Sequence, residues 1–299
     1  MMTPTTDEIL KRFADNLRSK DRQAATVESY CRDATEFLRY LDSFKMQLKS
    51  VEPETLIAFR DHLAFSEKDR DNSVRRKIIG IRQFFRFLAF EKLIGDTPFD
   101  AMPLPERDDE LKMPIVSGQI ESALLSMQAT HLKSARDIAI LRLLAFEGIK
   151  AHELIEFQIN DYIASSGKGS LFVPGVKSRT IMLAPETTEA LMVYRDYFKA
   201  WVETRKSTQQ AQFHWLFVSF KGKDGSLVLP QMTRHGLKFL LYELGERFKI
   251  LNMNTENLRH YAIEHLLVQG WDAEQIMAHL GLRRLGNIAK HMARRRQDS

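Results

Sequence analysis

Cysteine is nearly absent from this chain, whose 299 residues include only Cys31. One thiol excludes an internal disulfide and a cysteine-rich metal site, and we expect it to pack as a small apolar residue. Apolar runs are short, and none approaches the roughly 20 residues of a membrane-spanning helix. The first residues, MMTPTTDE, lack the charged-then-apolar pattern of an export signal. These absences predict a cytoplasmic protein without a membrane segment.

The overall composition is that of a globular protein, with 44% hydrophobic and 28% charged residues. The length is sufficient for two domains with separate cores. A net charge of +5 and a pI of about 9.2 favour a polyanionic partner without identifying one. The nine histidines are scattered, and His260 and His265 are not stacked on one helical face, so we predict no metal site and no cofactor.

The first hundred residues predict a small bundle of helices. Apolar residues recur at spacings of three and four in segments 6–19 and 26–41, after Pro53, and in 73–92. The last helix carries basic residues opposite its apolar stripe: Arg75, Arg76, Lys77, Arg82 and Arg86. Such a face is either a solvated surface or a phosphate-binding surface, and we favour the second interpretation.

Segment 101–114 is rich in proline and acidic residues and has no hydrophobic period, which is typical of an interdomain linker. We therefore predict domains at 1–100 and 115–299. The patterns in the second domain predict a mixed α/β fold. Runs at 171–174 and 179–183 predict a β-hairpin around a turn at 175–178, and the other apolar patterns are mainly helical.

A basic pair, Arg259 and His260, stands near the start of an amphipathic helix in the stretch ENLRHYAIEHLL. Free N–H groups and the positive dipole end of a helix start suit a phosphate. Alone, such a pair is usually solvated. Here it follows the segment GIKAHEL at 148–154 and precedes Leu280-Gly281 and Lys290-His291.

The order and spacing of these motifs resemble those of the tyrosine recombinase (phage integrase) family over nearly the whole chain. The first region also matches the family pattern at Thr26, Tyr30, Asp33, Ser73, Arg76, Phe84, Phe85, Phe87, Leu88, Leu93, Ile94 and Pro98. The resemblance implies an Xer-like two-domain architecture. We therefore expect a mainly α fold with a small antiparallel sheet: an all-helical, SAM-like core-binding domain and a mixed α/β catalytic-type domain.

Members of that family attack a DNA phosphodiester with a tyrosine hydroxyl. Two arginines clamp the charged oxygens of the transition state, and a lysine protonates the leaving 5′-oxygen. Two further donors, His or His and Trp, complete the pocket. The resemblance therefore assigns six positions of this chain to the reaction.

Most of these six positions hold residues that depart from the family pattern. Lys150 replaces the first arginine, Pro174 the lysine (when Lys177 and Arg179 are aligned with the hairpin pattern), Glu256 a histidine, and Leu282 the second donor; Arg259 is retained, and His291 stands at the nucleophile. A lysine lacks the guanidinium fork, and a proline donates nothing. Glu256 repels a phosphate and is spaced to pair with Arg259. No tyrosine follows Tyr261, which excludes a shifted nucleophile.

These departures predict a site that has lost strand cleavage but kept its basic character. His291 is then either a plain helix residue near DNA or, less favoured, a substitute nucleophile. We expect DNA contacts from a set of residues in the second domain: Lys150, Lys177, Arg179, Arg259, His260, Lys290, His291 and the terminal arginines 294–296.

The leading hypothesis is thus a nucleoid-associated protein that binds double-stranded DNA as an accessory or inactive subunit in site-specific recombination or integration. It would act with itself or with an active recombinase. Three alternatives remain: a transcriptional repressor or regulator of a mobile element or prophage, an active but atypical recombinase, and a basic protein that uses this fold only to bind protein.

Overall fold

The chain divides into two compact units, residues 1–111 and 112–299. The computed structural model describes residues 5–65, 71–95, 97, 104, 115–165, 167–175, 178–204, 213–221, 227–229 and 231–297. The division falls within the segment predicted as a linker, 101–114, which lies outside the described residues except for Leu104. Each unit has its own hydrophobic core.

The first unit consists of four helices: α1 Thr6–Ser19, α2 Ala24–Ser43, α3 Pro53–Phe65 and α4 Asp71–Phe90. Apolar periodicity predicted all four, and a capping box formed by Thr5 and Glu8 begins the first. Aromatic rings fill the core, with ring centroids 5.0 Å apart for Phe37 and Phe59. Cys31 packs, half-buried, against this core as expected, and burial raises the pKa of its thiol.

The second unit combines eight helices with two small antiparallel sheets in its described part. Its helices are α5 Gln119–Ser126, α6 Leu132–Ala145, α7 Ala151–Glu156, α8 Pro185–Glu203, α9 Arg234–Phe248, α10 Thr255–Val268, α11 Ala273–Leu280 and α12 Gly286–Gln297. Its strands are β1 Tyr162–Ser165, β2 Lys168–Val173, β3 Arg179–Met182, β4 Ser219–Lys221 and β5 Leu227–Leu229. The predicted fold class is therefore confirmed. None of the described helices combines the length and hydropathy needed to cross a bilayer.

The three-stranded sheet has the order β1-β2-β3, and Leu171 pairs with Ile181 in its central register. The predicted hairpin is confirmed as β2 and β3. The strands β1, β4 and β5 were missed because runs of three or four residues carry too little alternation to reveal a period of two.

The central helix α6 is buried on nearly all sides and packs against α8 and α10. Its buried charges are satisfied locally, because Arg136 donates to Asp137 at 2.8 Å and to the Val218 carbonyl at 2.9 Å. Gly148 follows this helix with φ +60°, as a helix-ending glycine commonly does. The chain can then turn directly into α7.

Gly148 is also a point of close contact between helices. A Cβ atom there would overlap Cδ2 of Leu280 and lie 3.1 Å from Cβ of Ala262. The glycine therefore allows the end of α6 to lie directly against α10 and α11. Helix α10 carries Arg259 of the basic site described below, and α11 supplies carbonyl oxygens to it.

We predict that Gly148→Ala lowers the free energy of unfolding of the second unit by about 3 kcal/mol, from backbone strain and overpacking together. Gly167→Ala is the matched control: its φ is +77°, but nothing lies within 4 Å of its added Cβ. The control should lose only about 1 kcal/mol. Urea unfolding followed by tryptophan fluorescence reports on this unit alone, because Trp201, Trp215 and Trp271 all lie in it. Equal losses in the two variants would contradict the packing argument.

Candidate functional site

A single buried carboxylate, Glu153 of α7, organises the basic site. The backbone N–H of Lys150, the N-cap residue, donates to Glu153 Oε2 at 3.0 Å, and the Lys150 ammonium lies 3.3 Å from Oε1. Arg179 of β3 reaches the same carboxylate with two donors, at 3.0 and 3.3 Å. This fork-to-fork pairing fixes the orientation of the Arg179 guanidinium.

The pKa of Glu153 reflects these contacts. Burial alone would raise it, but the hydrogen bonds and positive charges of Arg179 and Lys150 prevail and lower the pKa to about 2. The side chain is only 6% exposed. Glu153 is therefore ionised throughout the physiological range.

Arg259 of α10 joins the ends of two other helices. Its guanidinium donates to the carbonyl oxygen of Gly148 and, at 2.8 Å, to that of Leu280. Arg179 makes a similar bond, from Nε to the His279 carbonyl at 2.7 Å. Burial lowers the pKa of Arg259 to about 10, so its charge persists at neutral pH. Both guanidiniums thus bind the main chain at helix C-termini, where cations are favoured.

The cluster is positive overall. Lys150, Arg179 and Arg259 bring three positive charges to the one negative charge of Glu153, a formal excess of +2. Burial lowers the pKa of the Lys150 amine, and the neighbouring charges of Arg259 and Arg179 act in the same direction. The Lys150 side chain is 30% exposed, and its ammonium has one acceptor, Glu153, among the described residues. The excess charge suits an oxyanion such as a phosphate.

A chain of three polar side chains adjoins this cluster. Nδ1 of His260 lies 3.0 Å from Nε2 of His291, and Nδ1 of His291 lies 3.1 Å from Oε1 of Glu264. The His291 side chain is only 1% exposed. His291 is therefore closed to solvent and held between two side-chain partners. Burial, and then the neighbouring imidazole of His291, lower the pKa of His260.

The structure brings most of the predicted positions of α7, β3, α10 and α12 into these two clusters. Glu256, however, is exposed at the start of α10 and forms no ion pair with Arg259, which corrects the pairing that their spacing suggested. The guanidinium turns towards buried carbonyls instead. Pro174 is half-buried at the end of β2, and Leu282 packs into the small core of α10, α11 and α12. Lys177 lies outside the described residues.

Two of the basic residues predicted on α4 are engaged within the first unit. Arg76 donates to the buried carboxylate of Asp33 at 2.5 Å, and the Lys77 ammonium lies 2.6 Å from Glu36. Both acids belong to α2, so these pairs hold the two helices together. Of the other three, Arg75 and Arg82 are half-buried and Arg86 is exposed. The role of all five in DNA binding stays a prediction.

Sequence reasoning missed Glu264 as a member of the site. The signal was present, because Glu264 follows His260 by four residues and so lies on the same face of α10. What the sequence could not supply was the packing of α12, which places His291 between them. Among the described residues, no group of three or more potential ligands is arranged to hold a metal ion.

Comparison with known families gives two matches along the chain. A model of the phage integrase family matches residues 117–295, and a model of the phage integrase N-terminal SAM-like domain matches residues 10–92. Together they span both compact units.

Curated relatives and solved structures give the same picture. Tyrosine recombinase XerD of Halalkalibacterium halodurans is 27% identical over 261 residues, which cover 86% of this chain and 82% of that protein. Tyrosine recombinase XerC of Staphylococcus aureus is 25% identical over 269 residues, covering 89% and 85%. XerH site-specific recombinase bound to a palindromic difH substrate superposes with a TM-score of 0.70 at 16% identity, covering 97% of this chain and 81% of that one. At that identity the likeness shows the fold.

We predict that Glu153→Gln lowers the free energy of unfolding by about 3 kcal/mol at neutral pH, the value of a pKa shift from 4.5 to about 2. Because the pKa is depressed in the folded state, this contribution is complete above about pH 4.5 and disappears as the pH falls towards 2. Urea unfolding at several pH values, read by tryptophan fluorescence, measures it.

The control is Glu156→Gln, which changes an exposed glutamate on the same helix. It should cost less than about 0.5 kcal/mol at every pH. If Glu153→Gln loses the same stability at pH 3 as at pH 7, the charge of Glu153 is not what stabilises the cluster.

Proposed function

The chain belongs to the phage integrase family, and from that premise we propose that it binds duplex DNA without cleaving it. One observation carries the proposal: His291, which the family resemblance assigns to the nucleophile, is buried and both of its ring nitrogens face protein partners. The positive cluster beside it keeps the charge that a DNA phosphate requires. The site is therefore suited to hold a phosphate and unsuited to attack one.

Several features support DNA as the ligand. The chain carries a net charge of +5, and its basic residues include the cluster on Glu153 and the exposed Arg294 and Arg295 at the end of α12. Two solved relatives of the same fold are described on DNA, XerH on its difH substrate and the Tn1549 transposon integrase with circular intermediate DNA. Contacts to phosphates give affinity and orientation, whereas sequence choice needs side chains in a groove.

The remaining assigned positions support loss of cleavage. Pro174 cannot protonate a leaving oxygen, Leu282 offers no donor, and the exposed carboxylate of Glu256 repels a phosphate. Lys150 supplies charge without the planar fork of an arginine. Strand cleavage by His291 would have to break the bond between its Nε2 and His260 before the lone pair of that nitrogen could reach phosphorus.

We propose that this DNA binding serves site-specific recombination, as an accessory or inactive subunit that works with an active recombinase or with further copies of itself. The names of the curated relatives, tyrosine recombinases XerC and XerD, support a function in recombination. Purified protein on sheared genomic DNA provides the test. Enrichment at the ends or attachment sequences of a mobile element supports the recombination role, whereas enrichment at promoters makes the protein a transcriptional regulator.

DNA affinity should fall steeply with salt, because each phosphate neutralised by a lysine or arginine releases counterions. We predict that Arg86→Gln and Arg75→Gln each weaken binding to duplex DNA uniformly across sequences. Each should also reduce the slope of log affinity against log salt by about one. Fluorescence anisotropy over a series of salt concentrations measures both quantities.

The matched control is Lys49→Gln, which removes an exposed positive charge outside α4. It should leave the salt slope unchanged. If all three variants bind like the wild type, α4 is not a DNA-binding face, and if the wild type shows no salt-dependent binding, the protein does not act on DNA through its charge.

No covalent protein–DNA adduct should form on a nicked duplex that contains a proven binding site. The analysis must use alkaline denaturing gels, because a phosphohistidine bond hydrolyses in acid. An active tyrosine recombinase on its own substrate serves as the positive control. An adduct that His291→Ala abolishes would instead establish an active enzyme with a histidine nucleophile.

A further inference from the structure

Three side chains on two helices form a continuous hydrogen-bonded chain at the edge of the basic site. His260 and Glu264 stand one turn apart on α10, and His291 of α12 lies between them. The two contacts are 3.0 Å between the imidazoles and 3.1 Å to the carboxylate. Because His291 is buried, protein groups rather than water satisfy its two nitrogens.

The positions of the protons follow from counting donors and acceptors. A carboxylate only accepts, so Nδ1 of His291 carries a proton towards Glu264. Only one proton lies between the two rings, because two N–H groups pointing at each other would repel. Two neutral imidazoles carry two protons in total, and these contacts use both. The fourth nitrogen, Nε2 of His260, is then a bare acceptor.

That fourth nitrogen is available to a ligand. Nε2 of His260 has no hydrogen-bond partner among the described residues, and it is absent from the buried polar atoms without partners, so it reaches the surface. A phosphate oxygen needs a donor at this position. The neutral pair cannot supply one without a third proton.

We propose that a DNA phosphate binds at Nε2 of His260 only when the His260–His291 pair takes up a third proton, so that Glu264 and His291 couple DNA binding to proton uptake. This inference rests on the proposed DNA-binding function. His260 is the phosphate ligand, and His291 and Glu264 are positioning residues that set its tautomer. A histidine at position 291 thus gains a role that requires no nucleophilic chemistry.

The sign of the effect follows from the pKa of His260. In the free protein burial and His291 lower it below the ordinary value of 6.5, so His260 is neutral at physiological pH. A bound phosphate favours the protonated form and raises it. DNA affinity should therefore rise as the pH falls through the interval between these two pKa values, by up to about tenfold per pH unit.

Other charged groups near the pair also affect the pKa of His260. From its own helix His260 is affected by Glu256 and Arg259, and from α12 by Lys290 as well as His291. The charged groups on the side of α6 are engaged elsewhere: the Arg142 guanidinium carbon lies 5.7 Å from the centroid of the Phe146 ring, and Glu147 accepts from the Ala184 backbone at 3.0 Å.

The test measures the affinity of the full-length protein for sheared duplex DNA from pH 5.5 to 8.5 (a range of about one unit below and two above the ordinary histidine pKa) at constant salt. Glu264→Gln is the decisive variant. A glutamine amide can donate to Nδ1 of His291, so the proton of neutral His291 moves to Nε2 and is donated to Nδ1 of His260. The proton of neutral His260 then lies on its Nε2, where a phosphate oxygen can accept it. This variant should bind more tightly than the wild type at high pH and lose the pH slope of the pair.

Two further variants complete the design. His260→Gln should also lose the slope, whereas His265→Gln, which alters another partly buried histidine of α10, should keep it. Ring nitrogen chemical shifts of the free proteins should show the proton of neutral His260 on Nδ1 in the wild type and on Nε2 in Glu264→Gln. This second readout needs no DNA and would not change if Glu264 were merely structural.

The outcomes separate this inference from the proposed function. If the wild type, Glu264→Gln and His260→Gln all bind DNA with the same pH slope, the proton coupling is wrong. The proposed DNA-binding function would still stand. An unchanged His260 tautomer in Glu264→Gln would overturn it as well. If the wild type fails to bind DNA at any pH, both the coupling and the proposed function are wrong.

Discussion

The ion pairing of Glu153 is the interaction on which the second unit's site depends. Three cations from α7, β3 and α10 lie in a partly buried space, where their mutual repulsion would be costly without the single carboxylate. Glu153 also accepts a hydrogen bond from the backbone N–H of Lys150, the N-cap residue of its own helix. One residue thus fixes the start of α7 and the position of Arg179, and screens Arg259, while leaving an excess of positive charge. That excess is available to a polyanion.

Most of the fold could be predicted from the sequence because its helices are long and amphipathic. The buried positions of α4, such as Val74, Ile78 and Ile81, follow the helical period without interruption. Short strands could not be recognised in this way, and β1, β4 and β5 were missed. Charge on a helix face was also ambiguous, because a sequence cannot tell whether a basic residue faces solvent or, like Arg76, a buried acid on a neighbouring helix.

The candidate site shows where motif reasoning stops. The family resemblance identified Lys150, Arg259 and His291 as members of one site, and the fold brings their helices together. It did not supply the partners of these side chains. Glu256 and Arg259 have the spacing of a helical ion pair, yet the guanidinium binds carbonyls of Gly148 and Leu280. Tertiary packing determines the partner of Arg259, because carbonyl oxygens near the ends of helices lack intrahelical donors.

The environment of His291 explains how the fold accommodates a histidine at the position that the resemblance assigns to the nucleophile. A buried imidazole without partners would destabilise the packing of α12 on α10. Glu264 and His260 satisfy both of its nitrogens, so the substitution is compatible with a folded site. The bond to His260 engages the lone pair that nucleophilic attack would require. A stably packed C-terminal helix and the proposed loss of cleavage are therefore compatible with one hydrogen-bond arrangement, and neither requires a change in the surrounding cations.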